Sequence, residues 1–307
     1  MQVNKFILSF LQVSVGLFFV FSSISKLISI DQFEIYIYSF NILSYSISTI
    51  FARFIIGAEL VLGVFLLTGF FTRKILAISL VMMCGFSLFL LYLVYKGDQS
   101  NCNCLGEIVT MTPLESLFKN LIIIFFLAFL FFKGYYTWRP LFRKQASFLL
   151  LLFGLLFPFV FSLPDFLYMK IYPVENHNYH EGSFHEVVKN DGMDDLSLAE
   201  GKKIICFFST RCRFCKLAAQ KLSLFMEKRD SKDKKVVYIF TGSKDYLAEF
   251  WSESQSFKFP YKFIEVPVFL KITGGKMPVI FFVENGEIVD TYGYRNLNEH
   301  SVIEFLE

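Results

Sequence analysis

Two close-spaced cysteine pairs are the residues of this chain best suited to chemistry. Cys212-Arg213-Phe214-Cys215 follows an apolar run at 203–208 and opens a helix-like run. Cys102-Asn103-Cys104 lies in a short polar loop between long apolar segments. A thiolate is the attacking species in thiol–disulfide exchange, and a helix N-terminus lowers a thiol's pKa by stabilising negative charge. Cys212 would attack a partner disulfide, with Arg211 and Arg213 pushing its pKa down from either side; Cys215, one turn later, would resolve the mixed disulfide. Cysteines at i and i+2 can also bond, in a small ring whose strain makes it easily reduced, as a carrier requires. The competing readings are half of a zinc site completed by His177, His180 and His185, and a structural clamp on the 102–104 loop. The strand–CxxC–helix context favours redox chemistry, and no metal is expected. Cys206, inside a strand-like run, reads as a core thiol, and Cys84 stands alone in an apolar segment.

These pairs sit in two unlike halves. The chain has 307 residues, 54% of them hydrophobic, and most long apolar runs end near residue 167. That length suggests two domains. A net charge of +3 gives no ground for nucleic-acid binding. A membrane span needs ~20 apolar residues to cross about 30 Å of hydrocarbon. Five segments qualify or nearly so: 6–28, 47–70, 75–96, 115–133 and 147–166, the last bounded by Pro158 and Pro164. The first is too long for a cleaved signal peptide and reads as an uncleaved anchor.

Lysine and arginine set orientation. Lys5, Arg73, Lys74, Lys133, Arg139, Arg143 and Lys144 fall on one side, whereas loops 29–46 and 97–114 hold none. Counting Lys26, Arg53, Lys96 and Lys119 at span edges against them still leaves seven to four. The expectation is a cytoplasmic N-terminus, with Tyr135, Tyr136 and Trp138 as an aromatic belt on the inner face. Five spans then put both cysteine pairs in the bacterial periplasm, where disulfides persist. Lys26 and Glu59 are ionisable groups at membrane depth and functional candidates by default. The alternatives are a structural pair, a proton-handling role, or snorkelling of Lys26 to the interface.

Beyond a polar connector, 203–208, 234–240 and 277–283 read as buried strands, Asn285-Gly286 as a hairpin turn and 287–292 as the returning strand. With helices after the CxxC, at 246–254 and at 300–306, the order β-α-β-α-β-β-α resembles the thioredoxin fold over 198–307. The resemblance rests on Cys212-Arg213-Phe214-Cys215 and on Met277-Pro278 before the third strand. It implies that Pro278 is cis against the CxxC and that the Met277 backbone pairs with a bound substrate chain. Arg213 and Phe214, in place of the common Gly-Pro, would tune the reduction potential.

Residues 3–133 resemble the DoxX-like superfamily, and within it the MauE type. The matching residues are Gly16-Leu17-Phe18 and Ser25-Lys26 in the first span, Glu59 in the second and Asn120 in the fourth. Cys102-Asn103-Cys104-Leu105-Gly106 stands in the outer loop, with Asn103 and Leu105 replacing the Gly and Phe frequent in that family. The resemblance implies thiol–disulfide chemistry beside a thioredoxin-like partner, here fused. The expected architecture is a membrane α-helical bundle, four-helix DoxX/MauE-like (1–134), a cytoplasmic loop and fifth transmembrane helix (135–167), a periplasmic connector (168–197) and an α/β thioredoxin-like domain (198–307). The expected function is an inner-membrane thiol–disulfide oxidoreductase linking Cys102 and Cys104 to Cys212 and Cys215 and acting on periplasmic client proteins. The alternative is a membrane-anchored maturation factor or scaffold with structural cysteines. No cofactor is expected, with a quinone among the many phenylalanines as the open alternative: quinone-coupled enzymes of the vitamin K epoxide reductase type carry a membrane-embedded CxxC, which this chain lacks and which argues against their whole mechanism.

Overall fold

The computed structural model describes residues 5–70, 72–135, 143–171, 184, 198, 200–228 and 235–307. His177, His180, His185, Tyr136, Trp138, Arg139 and most of the 168–197 connector lie outside the described residues, as do the side chains of Arg143 and Lys144. The chain divides into two compact units, 1–164 and 165–307.

The first unit is helical. It comprises α1 (Lys5–Ile28), α2 (Ile30–Tyr38), α3 (Tyr45–Thr68), α4 (Thr72–Tyr95), the short strand β1 (Cys104–Glu107), α5 (Pro113–Lys133) and α6 (Arg143–Phe161). Helices α1, α3, α4 and α5 are each long and apolar enough to cross a membrane, which makes this a multi-pass membrane protein. Their outward faces are as apolar as their core: Phe10, Phe54, Val81 and Phe125 are exposed, while Leu66, Leu76, Leu127 and Leu130 are completely buried. The ends follow local chemistry. Gly69 closes α3 at φ 67°, where a side chain would be strained. Thr112 and Glu115 cap the start of α5 reciprocally, with Pro113 in its first turn.

Hydrocarbon gives helices no hydrophobic reason to associate, so close van der Waals approach matters more. A Cβ on Gly63 of α3 would stand 2.8 Å from the Val20 side chain and 2.9 Å from the Gly16 carbonyl of α1. One on Gly57 would stand 3.0 Å from the Gly154 carbonyl of α6. Helix α3 is thus gripped on two sides through glycine.

The second unit contains α7 (Asp165–Ile171), β2 (Lys202–Ser209), α8 (Arg213–Lys228), β3 (Val236–Thr241) and α9 (Leu247–Ser254). It continues with β4 (Tyr261–Phe263), α10 (Val266–Thr273), β5 (Val279–Glu284), β6 (Glu287–Tyr292) and α11 (Glu299–Leu306). The sheet order is β4-β3-β2-β5-β6. Strand β2 runs parallel to β3 and antiparallel to β5, and β5 pairs antiparallel with β6. The central strands are buried almost throughout, which explains their unbroken apolar runs. Cys206 sits mid-sheet between Tyr238 and Ile280 and is completely buried. This is a thioredoxin-like sheet. Strand β4 and helix α10 add to the order read from sequence. Three residues are too few to display a strand period, and Pro267 in the first turn of α10 resembles a loop residue.

Candidate functional site

The CxxC is built by the junction of β2 and α8. The Cys212 N–H donates to the Ser209 carbonyl at 3.1 Å, and α8 begins at the next residue. The Cys215 N–H then donates to Cys212 Sγ at 3.3 Å. Sulfur therefore occupies the place of a capping oxygen and takes up an otherwise orphaned helix N–H at the positive end of the helix. Cys212 is partly exposed and Cys215 buried. The Cys212 pKa is lowered to about 7, first by its hydrogen bond with the Cys215 side chain, then by the Cys215 and Phe214 N–H groups and the Lys216 ammonium, against the cost of burial. The charge among these causes is Lys216 rather than either flanking arginine. Arg211 lies over the Tyr246 ring at 4.8 Å and Arg213 lies 5.8 Å from the Phe214 ring. Burial, and then the bond to Cys212, push the Cys215 thiol well above the usual range.

The Met277–Pro278 peptide is cis. Because Phe207 pairs with Val279, the antiparallel register puts Pro278 beside the end of β2 that leads into the CxxC. Met277 and Phe214 are 39% and 43% exposed, so both side chains reach the surface. In the reduced protein, alkylation of Cys212 by iodoacetamide is expected to rise about tenfold per pH unit below its midpoint and level off above it. A lowered pKa moves that midpoint down, to about 7, from the ~8.5 of a free cysteine. Peptide mass spectrometry reads the rate at this one site, and a midpoint of ~8.5 would contradict the helix-capped thiolate.

The CxC is held by α1 and its junction with α2. Ser25 Oγ donates to the Leu105 carbonyl, the Glu107 N–H donates to Ser29 Oγ at 3.1 Å, and Ser22 Oγ donates to the Cys104 carbonyl at 3.4 Å. Asn103 and Gly106 both have positive φ, 50° and 63°. Asn tolerates that region better than most residues, which explains how it replaces glycine between the cysteines. Cys102 Sγ lies 2.9 Å from Ser116 Oγ and accepts the Cys104 N–H at 3.4 Å. Its pKa is lowered to about 6, first by the bond with the Cys104 side chain, then by Ser116, the Cys104 N–H and the Lys119 ammonium, with burial opposing. Cys104 is pushed well above the usual range, first by its bond to Cys102 and then by burial. Cys102 is the enclosed sulfur of this pair and Cys104 the half-buried one.

Lys26 and Glu59 form a buried ion pair, Nζ to Oε2 2.8 Å, with side chains only 5% and 6% exposed. Lys26 therefore does not snorkel. Its Nζ also lies 2.6 Å from Ser22 Oγ, so the pair holds the serine that contacts the Cys104 carbonyl. A second buried pair, Glu34 of α2 with Arg53 of α3, has both side chains 2% exposed. Arg53 also donates to the Ser162 and Thr49 carbonyls at 2.8 and 2.7 Å. Its position inside an apolar run was the available signal for that role, rather than for a span edge. Cys84 of α4 is exposed. Cys102, Cys104, Lys26, Glu59 and Asn120 all line one cavity of about 560 Å³.

The chain thus joins a bundle of membrane-crossing helices bearing a CxC beside a buried Lys–Glu pair to a thioredoxin-like sheet bearing a helix-capping CxxC. Residues 4–133 match the family described as methylamine utilisation protein MauE. Along most of its length the chain is related to Protein TlpB of Flavobacterium psychrophilum, 27% identical over 93% of this chain and 90% of that protein. Two solved structures are also similar. A secreted Mycobacterium tuberculosis disulfide oxidoreductase homologous to E. coli DsbE is 16% identical, with 36% of this chain and 83% of that one covered and a TM-score of 0.29. StoA from Bacillus subtilis is 18% identical, with 35% and 84% covered and a TM-score of 0.28.

Proposed function

We propose that this protein is an inner-membrane thiol–disulfide oxidoreductase that passes electron pairs between Cys102/Cys104 and Cys212/Cys215 and exchanges with periplasmic client proteins. One observation carries the reading. In each pair one sulfur accepts the backbone N–H of its partner cysteine, Cys212 from Cys215 at 3.3 Å and Cys102 from Cys104 at 3.4 Å, which favours its thiolate and lowers its pKa. Exchange needs an attacking or leaving thiolate and a second thiol in reserve, whereas a structural clamp needs neither.

Cys212 attacks the client disulfide, Cys215 resolves the mixed disulfide, and Arg213, Phe214, Met277 and Pro278 provide the surface the client meets. Toward an oxidised CxC, Cys212 attacks the half-buried Cys104, and Cys102 departs as the more stable thiolate. Cys215 then attacks Cys212. A disulfide forms between Cys212 and Cys215, Cys104 takes the proton that Cys215 gives up, and two electrons have moved to the CxC. The reverse direction runs through the same intermediate.

Orientation follows from the lysine and arginine asymmetry: N-terminus cytoplasmic, α6 the fifth span, and both cysteine pairs periplasmic. The glycine-mediated packing of α6 on α3 supports its place in the bundle. The Lys26–Glu59 pair acts as a positioning element for the CxC.

The test is a Cys215→Ser protein expressed in cells, acid-quenched and alkylated. Client adducts joined through Cys212 and released by dithiothreitol are expected, and the Cys212→Ser/Cys215→Ser protein should show none. If the single variant accumulates no adduct, exchange is wrong and the scaffold alternative takes its place.

A further inference from the structure

The cavity beside the CxC has a composition that disulfide exchange alone does not require. At about 560 Å³ it is the size of a small-molecule site rather than a packing defect. Its walls are apolar and aromatic, among them Phe18, Phe33, Phe40 and Phe89. Its rim carries Ile42, Ile47 and Phe51, which are 80%, 53% and 49% exposed, so a ligand entering there arrives from an apolar medium. Both CxC cysteines line it.

Two polar groups of the lining, Tyr36 and Lys119, face the cavity beside the CxC. The Tyr36 hydroxyl is buried without a hydrogen-bond partner. Burial, then the neighbouring Cys104 and Cys102, raise its pKa well above the usual phenol range, so it stays a neutral donor. Lys119 has no carboxylate partner among the described residues, and its ammonium lies 5.7 Å from the Phe18 ring centroid. A buried polar group without a partner is costly, so a cavity that keeps such a donor beside hydrocarbon walls is suited to an occupant that brings acceptors. A lipid acyl chain would fill the walls and leave the Tyr36 hydroxyl unsatisfied.

We propose that this cavity binds a membrane quinone that accepts the electron pair of Cys102 and Cys104. A quinone offers carbonyl acceptors for Tyr36 and Lys119 and a hydrocarbon tail for the apolar mouth. The proposal rests on the reading of Cys102/Cys104 as an exchanging pair and adds its electron acceptor. In the step, the Cys102 thiolate and the Cys104 thiol become a disulfide. The quinone takes their two electrons, the Cys104 proton and one proton from water, and leaves as quinol. A small-ring CxC disulfide is expected to be oxidising, so its regeneration calls for a strong acceptor, and the apolar lining favours one that is lipid-soluble.

The experiment uses the reduced full-length protein in nanodiscs, without oxygen. The probe is decyl-ubiquinone, whose fully substituted ring cannot add to thiols. The CxC redox state is read by alkylation and peptide mass spectrometry, and quinol by its ultraviolet absorbance. Diamide, a polar oxidant that does not need the cavity, is the parallel arm. Expected is one quinol per CxC disulfide, slowed ~3-fold by Tyr36→Phe and ~10-fold by Lys119→Met; the diamide rate is unchanged in Tyr36→Phe, and in Lys119→Met, which also removes a charge that favours the Cys102 thiolate, it falls by less than the quinone rate. If diamide forms a reversible CxC disulfide that Cys212 reduces, yet the quinone leaves the thiols untouched, the quinone proposal is overturned and the exchange reading stands. Equal quinone rates in wild type and both variants overturn it too, because the reaction would then bypass the cavity. If diamide itself yields no disulfide that Cys212 can reduce, the exchange reading falls, and the quinone proposal with it.

Discussion

A protein carrying Cys102→Ser and Cys215→Ser is expected to accumulate a disulfide between Cys104 and Cys212. The companion Cys104→Ser/Cys215→Ser protein is expected to form the Cys102–Cys212 bond at least about tenfold less. The difference comes from access and leaving-group quality together. Cys104 is half-buried and protonated, whereas Cys102 is enclosed against Ser116 and holds its charge at a pKa of about 6. In an exchange the attacked sulfur must be reachable and the departing one must be content as a thiolate, and each member of this pair suits only one of those parts. Removing Cys102 and Cys215 deletes the leaving and resolving thiols, so the intermediate has nowhere to go. Mild oxidation with diamide, non-reducing digestion and mass spectrometry identify the joined peptides. Equal yields from the two proteins, or a preference for Cys102, would reverse the assignment of attacked and leaving sulfur.

Glu59→Leu is expected to be among the most damaging single substitutions in the helical unit. It leaves the Lys26 ammonium buried without its carboxylate, a loss of about 3–5 kcal/mol. Lys26→Met should do comparable harm from the other side. Combining the two removes both charges and leaves a well-sized apolar contact, which is often close to neutral or better. The double variant should therefore melt close to wild type in detergent, well above either single variant. Its CxC should be oxidised by diamide within about threefold of the wild-type rate, because the Ser22 contact to the Cys104 carbonyl can persist. Restored melting with a CxC rate still depressed tenfold or more would mean that the pair moves protons, and that positioning is not its main task.

The parts of this molecule legible in its sequence are those whose signals are local. The CxxC between an apolar strand and a helix, the long apolar spans and the Asn285-Gly286 turn each declare themselves within a few residues. Helix α2 did not, because its nine residues sit among the apolar flanks of two spans. Nor did the Glu34–Arg53 pair, whose partners stand on different helices and meet only after folding. Adjacency misled at Cys212. Neighbours in sequence diverge in direction at a helix start, so the backbone N–H of Cys215 and the Lys216 ammonium lead in lowering the Cys212 pKa, while Arg211 lies over the Tyr246 ring. The cavity and its orphan donors are invisible to any local pattern, since its lining comes from α1, α2, α3, α4 and α5.

The three serines that clasp β1, two in the last turns of α1 and one at its junction with α2, have a consequence for how electrons are handed over. A CxC on a loose loop would carry its charge to a partner like a bucket. Pinned at Cys104, Leu105 and Glu107 to that corner of the bundle, this one behaves as a terminal set into a wall. Whatever trades with it must travel and dock, and the frequency of those visits, rather than any swing of the terminal, sets the current the protein can pass.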